Sequence, residues 1–134
     1  MESEVPELQR NEHRMRIFIL DDQPGVAENL ALGLRAAGQD ATGFIDVDLA
    51  LARIQEADVL VTDYHLPKTT GLEVVRRAYD QGWRGGVLLT TNYPRQIRES
   101  LDHPLIRMGL VKPIDAEDLI DALVPIRGEN TTVS

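Results

Sequence analysis

Short apolar runs alternate along this chain with stretches of helical period. The runs are MRIFIL (15–20), ADVLVT (57–62), GVLLTT (86–91) and, more weakly, MGLV (108–111). A fifth, DATGF (40–44), is poor in apolar residues and belongs at a sheet edge. Runs that are apolar throughout, rather than alternating, mark strands covered on both faces, as in parallel sheets. Between them the period changes. Val26, Leu30 and Leu34 are spaced by four and share a helix face, and Gly38 follows as a stop signal. Residues 46–54 fit a second helix, and Leu72, Val75 and Tyr79 form the stripe of a third that ends before Gly82. Pro94 suits the first position of a short fourth helix. Ala116, Leu119 and Leu123 repeat the helical stripe near the C-terminus. The order is (βα)5, and parallel strands need right-handed crossovers. It predicts a doubly wound, five-stranded parallel sheet in a three-layer α/β/α sandwich over residues 15–127. Residues 1–14 and 128–134 read as polar tails.

Composition narrows the function. The 134 residues suit one domain, and an apolar share of 43% is enough for a packed core. A net charge of −8 disfavours a nucleic-acid surface, because such binding neutralises phosphates with Lys and Arg. The chain has no cysteine, which excludes disulfides and thiolate metal sites and suits a cytoplasmic protein. No apolar run has the length of a membrane span, and the polar opening residues do not read as a signal peptide.

In open α/β sheets, function gathers at the carboxyl ends of the strands. Strand 1 ends in Asp21 and Asp22, strand 3 in Asp63, strand 4 in Thr90 and Thr91, and strand 5 in Lys112 before Pro113. If strands 1 and 3 are neighbours, three carboxylates converge. Two like charges about 4 Å apart repel by roughly 4 kcal/mol at an effective dielectric near 20. A domain stable by only about 5–15 kcal/mol needs counter-charge for such a cluster. Lys112 supplies one, and a hard divalent cation supplies the rest. Carboxylates without His or Cys partners suit Mg²⁺. A carboxylate beside Mg²⁺ and a lysine can attack a phosphoryl group and form an acyl phosphate, with a strand-end hydroxyl such as that of Thr91 donating to an oxygen.

The residues carrying this chemistry resemble a response-regulator receiver domain of two-component signalling, over about residues 15–125. They are Asp21-Asp22, Asp63 in VLVTDYHLPKTTGL, Thr91 in GVLLTTN, and Lys112-Pro113, with Pro67 four and Gly71 eight residues after Asp63. The resemblance implies a flavodoxin-like sheet of order 2-1-3-4-5. It implies that Asp63 accepts the phosphoryl group from a histidine kinase or phosphotransfer protein. Asp22 and Asp63 would bind Mg²⁺, supported by Asp21 and by the backbone carbonyl of His65. Lys112 would bridge to the phosphoryl group across a cis bond to Pro113, and Thr91 would move to meet it. Counting from Asp63 selects Thr91 as that residue, whereas counting back from Lys112 selects Thr90. His65 and Tyr93, two residues after the Asp and the Thr, occupy positions that tune phosphoryl lifetime, and their bulk suggests slow hydrolysis. The chain departs from the family pattern at Asn92, where a small residue is usual, at Thr70 in place of an Asp, and at Gly109 in place of an aromatic.

Taken one at a time, these motifs are ordinary. An Asp pair before Pro-Gly is more often a turn or cap, and a Lys-Pro pair means little. His13 and His103 read as surface residues, and Trp83 as packing away from the site. The resemblance points to a switch rather than a turnover enzyme: a stand-alone or phosphorelay receiver without a DNA-binding output domain, or a receiver excised from a longer protein, with no nucleic-acid or membrane partner. Its downstream target is open, as is a homodimer. A phosphatase of the haloacid dehalogenase type would use similar parts but carries Asp-x-Asp in strand 1, which DDQP lacks. A binding module that keeps the fold without phosphorylation is the other alternative. A dinucleotide site is disfavoured because no G-x-G-x-x-G follows strand 1.

Overall fold

A computed structural model describes residues 14–133. His13 and nearly all of the 1–14 tail lie outside the described residues. Five parallel strands form one sheet: β1 (Arg16–Leu20), β2 (Asp40–Phe44), β3 (Val59–Asp63), β4 (Gly86–Thr91) and β5 (Ile106–Val111). Their spatial order is β2-β1-β3-β4-β5, so β2 and β5 are the edges. The crossovers are α1 (Val26–Ala36), α2 (Val47–Ala52), α3 (Gly71–Asp80), α4 (Pro94–Ser100) and α5 (Ala116–Val133).

The continuous apolar runs behave as expected of strands covered twice. Alternate residues of one strand enter different cores. Ile17 and Ile19 pack with Val59, Val61, Leu34, Leu119 and Leu123, under α1 and α5. Phe18 and Leu20 pack with Leu60, Leu89, Val74 and Val75, under α2 and α3. The edges differ: β2 is only partly covered, and β5 is buried at Ile106 but exposed at Val111.

Several boundaries and faces differ from the sequence reading. The second helix stops at Ala52 and tightens into a 3₁₀ turn at Ile54–Glu56. It starts where Asp46 caps it, with the carboxylate accepting from the Asp48 amide at 2.8 Å. On α3 the buried face is Gly71, Val74, Val75 and Ala78. Leu72 is half-buried, and Tyr79 lies at the rim, its ring 3.6 Å beneath the Arg84 guanidinium. The small residues at 71 and 78 complete an i, i+3, i+4, i+7 face that a search for large apolar residues passes over. His103 is half-buried rather than on the surface; its ring stands edge-on to Tyr79, and burial followed by the charge of Arg76 lowers its pKa. The last helix runs on to Val133, through the stretch read as a polar tail from 128. Trp83 is buried away from the carboxylates and donates its ring N–H to the Ala57 carbonyl at 2.8 Å.

A two-stranded antiparallel hairpin, His65–Leu66 with Thr69–Thr70, follows β3 directly. Thr70 closes it and caps α3, its hydroxyl accepting from the Glu73 amide at 3.1 Å. A threonine therefore serves here as the family's Asp would. Gly71 is required by close approach. Its amide donates to the Tyr64 carbonyl at 2.7 Å, and a Cβ there would run into the backbone carbonyl of Asp63. Backbone cannot step aside as a flexible side chain can. Gly71→Ala is expected to cost about 1–3 kcal/mol, read by urea denaturation of the two proteins. An unchanged midpoint would mean that the approach of α3 to β3 is looser than described.

Candidate functional site: an acidic pocket at the strand ends

The sheet order brings the polar strand ends together. β1 and β3 are direct neighbours, with Leu20 opposite Thr62. Asp21, Asp22 and Asp63 therefore meet, each offering a carboxylate oxygen, and the three atoms lie within 4.8 Å of one another. Asp21 and Asp63 are buried, at 3% and 7% exposure, and Asp22 is the most open. Lys112 arrives from the end of β5, across the end of β4. Its Nζ donates to Asp63 Oδ2 at 2.9 Å and to Asp21 Oδ2 at 3.1 Å. The second oxygens of Asp21 and Asp63 are also held. Asp21 Oδ1 accepts from the Gln23 amide at 2.9 Å, and Asp63 Oδ1 from the His65 amide at 3.3 Å. The Lys112–Pro113 bond is cis, as the resemblance implied.

Burial alone would lower the pKa of the Lys112 ammonium. Its hydrogen bonds to Asp63 and Asp21, reinforced by their charges, outweigh that effect and raise it. The cation is thus held in its charged form between two buried anions. Small hard cations take oxygen ligands in compact octahedra, and three converging carboxylate oxygens suit one. The donor set fits Mg²⁺ in kind.

The two threonines at the end of β4 part company. Thr90 pairs with Asp63 in register, but its hydroxyl donates to the Thr62 carbonyl at 3.5 Å. Thr90 lines a cavity whose inner wall is apolar, with Ile19, Leu30 and Ile114, and which reaches Asp21 and Lys112. Thr91, on the opposite face, donates its hydroxyl to Gln96 Oε1 and accepts from the Tyr93 amide at 3.1 Å. Gln96 Nε2 in turn lies 3.0 Å from His65 Nε2. Of the two, Thr91 is connected to the hairpin beside the pocket. His65 is exposed, with its ring edge-on to Tyr93 at 5.7 Å. Both rings stand at the pocket rim with Asn92. Gln96 was not singled out from the sequence. The available signal was Pro94 at the helix start, which places Gln96 in the first turn, within reach of the end of β4.

Residues 17–124 match the response regulator receiver domain family, and the chain belongs to it. Among relatives, it is 37% identical over 65 residues to the DNA-binding response regulator MtrA of Mycolicibacterium smegmatis, covering 47% of this chain and 28% of that protein. It is 35% identical over 77 residues to the probable transcriptional regulatory protein TcrX of Mycobacterium tuberculosis, covering 56% and 33% respectively. The matched stretch is thus a third or less of each relative's length. Among solved structures, the chemotaxis response regulator CheY4 of Vibrio cholerae superposes with a TM-score of 0.71 at 27% identity, over 82% of this chain and 96% of that one. Among the described residues no helix is long and apolar enough to cross a membrane.

Removing the shared ammonium would leave Asp21 and Asp63 facing each other. Breaking a buried pair costs about 3–5 kcal/mol. The Lys112 side chain keeps 16% of its exposure, which places Lys112→Met at the lower end of that range. Asp21→Asn added to Lys112→Met should recover part of the loss, as coupled neighbours do. Because the lysine pKa is raised by folding, its contribution is complete below the unfolded value of about 10.4 and fades as pH rises through the folded value. Urea midpoints at neutral and strongly alkaline pH would show it: the parent should lose more than Lys112→Met. Equal losses would remove Lys112 from the balance.

Proposed function

We propose that this chain is a phosphorylatable receiver whose phosphoacceptor is Asp63. The observation that carries the reading is Asp63 itself, buried at a strand end, bonded to Lys112 and facing Asp21 and Asp22. The donor would be a phosphohistidine of a histidine kinase or phosphotransfer protein. A carboxylate oxygen of Asp63 attacks phosphorus, the P–N bond breaks, and the imidazole leaves with the electron pair. The product is an acyl phosphate on Asp63.

Lys112 stays charged and can follow the transferring oxygens, already donating to Asp63 Oδ2. Asp22 and Asp63 would hold Mg²⁺ through their side chains, with Asp21 supporting and the His65 carbonyl as a further ligand. The ion, when bound, supplies neutralisation of the phosphoryl charge. Thr91 would turn its hydroxyl toward the phosphoryl group. The paired rings of His65 and Tyr93 stand at the rim of the pocket, which supports slow loss of the group. The protein would act as a cytoplasmic switch, promoting its own phosphorylation and hydrolysis without turning over a substrate.

A second reading, a receiver fold used for binding alone, draws on Gly109, where the family's aromatic is missing. The intact carboxylate–lysine arrangement weighs against it. Incubation with Mg²⁺ and a small acyl-phosphate donor, followed by intact mass, separates the two. One added phosphoryl group in the parent and none in Asp63→Asn is expected. No addition from either the small donor or phosphorylated kinase would favour the binding module.

Metal binding is tested separately. Millimolar Mg²⁺ should raise the melting temperature, because a ligand of the native state stabilises it by RT ln(1 + [L]/Kd). Asp22→Ala should abolish the rise. A parent unmoved by Mg²⁺ would refute the metal assignment.

A further inference from the structure

We propose that Gln96 is a positioning residue that ties the Thr91 hydroxyl to the first turn of α4, and that release of this tie frees the turn from β5. Its trigger rests on the phosphoacceptor reading above. The Thr91 hydroxyl gives its proton to Gln96 Oε1 and accepts from the Tyr93 amide. A hydroxyl has one proton to give. Thr91 can therefore donate to a phosphoryl oxygen on Asp63 only by giving up Gln96.

The next residue makes the consequence structural. Ile97 packs on Gly109 of β5, so closely that a Cβ at 109 would overlap the Ile97 side chain. Gly109 pairs with Leu89, whose side chain joins the α2–α3 core, so α4 covers this edge from that face. Two adjacent residues of one short helix thus hold two different things. Gln96 holds the pocket hydroxyl and contacts His65, and Ile97 fills the bare spot on β5. The helix has no side-chain cap of its own. Around it stand exposed Tyr93 (58%), Leu101 (46%) and Val111 (45%), so a shift of this turn changes an apolar surface. Gly109 and Ile97 together offer a route from pocket to surface that needs no aromatic residue in β5.

The test uses the whole chain and two readouts. In the resting protein, Thr91→Val should shift the Gln96 side-chain amide and the Ile97 methyl resonances. In the second, phosphorylation by acetyl phosphate with Mg²⁺ is followed by intact mass. Gln96→Leu should speed it several-fold, up to about tenfold, which is what one or two lost hydrogen bonds amount to. In the Thr91→Val background the same change should have no effect, which a merely structural role would not predict. Gly109→Ala, by pushing Ile97 off β5, should shift the Gln96 amide. Melting temperatures confirm that each variant folds.

An Ile97 methyl indifferent to Thr91→Val, or an acceleration by Gln96→Leu that persists in Thr91→Val, overturns the proposal. A parent that takes no phosphoryl group defeats the phosphoacceptor reading instead. The tie is then decided by the resting spectra, in which a coupled shift supports it and an unmoved Ile97 overturns it.

Discussion

One ammonium group, Lys112 Nζ, is shared by two buried carboxylates, and the functional end of the molecule is arranged around it. Three acidic side chains at the ends of adjacent strands would repel one another in a partly dry pocket. The lysine comes from an edge strand, over β4, and its long side chain is what lets a residue two strands away reach β3. Its charge is secured by the two carboxylates it contacts. The same interaction that makes the fold tolerable leaves a negative oxygen aimed at the pocket with a positive charge beside it. That is the ground state a phosphoryl acceptor needs.

The apolar layers serve this arrangement by keeping the strand ends in register. β1, β3 and β4 are covered on both faces, so a slip by one residue would move each apolar set into the wrong layer and carry the aspartates with it. Gly71 lets the start of α3 lie against the backbone of Asp63, and Thr70 closes the hairpin and caps that helix in one step. The loop after Asp63 is thereby fixed to the carboxylate end of β3, and His65 with it.

The opposite margin is built differently. β5 is half-covered, α4 has only two turns, and the β5 position that carries an aromatic in related chains is a glycine filled from outside by Ile97. The core is packed tightly where charge must be placed, and the edge is thin where a surface can change. A helix held by one side chain to the pocket and by the next to the sheet is short enough to move as a unit.

Much of this was legible in the residues alone. Continuous apolar runs and Gly stop signals determined five strands and five helices, because burial on both faces and helix termination are local demands. Asp63 before Pro67 and Gly71, and Lys112 before Pro113, carried the family resemblance and with it the strand order. Three matters were decided only by the tertiary structure. The buried face of α3 includes Gly71 and Ala78, whose small size reflects how closely the sheet approaches, not their own hydrophobicity. Thr90 and Thr91 are indistinguishable by counting, since the two counts disagree by one residue, but strand alternation sends their hydroxyls to opposite faces. Gln96 is a polar residue in a short helix, marked in the chain only by its place two residues after Pro94. Its meaning arises only when folding sets it between Thr91 and His65, because a hydrogen bond between distant residues is a property of their positions and not of their identities.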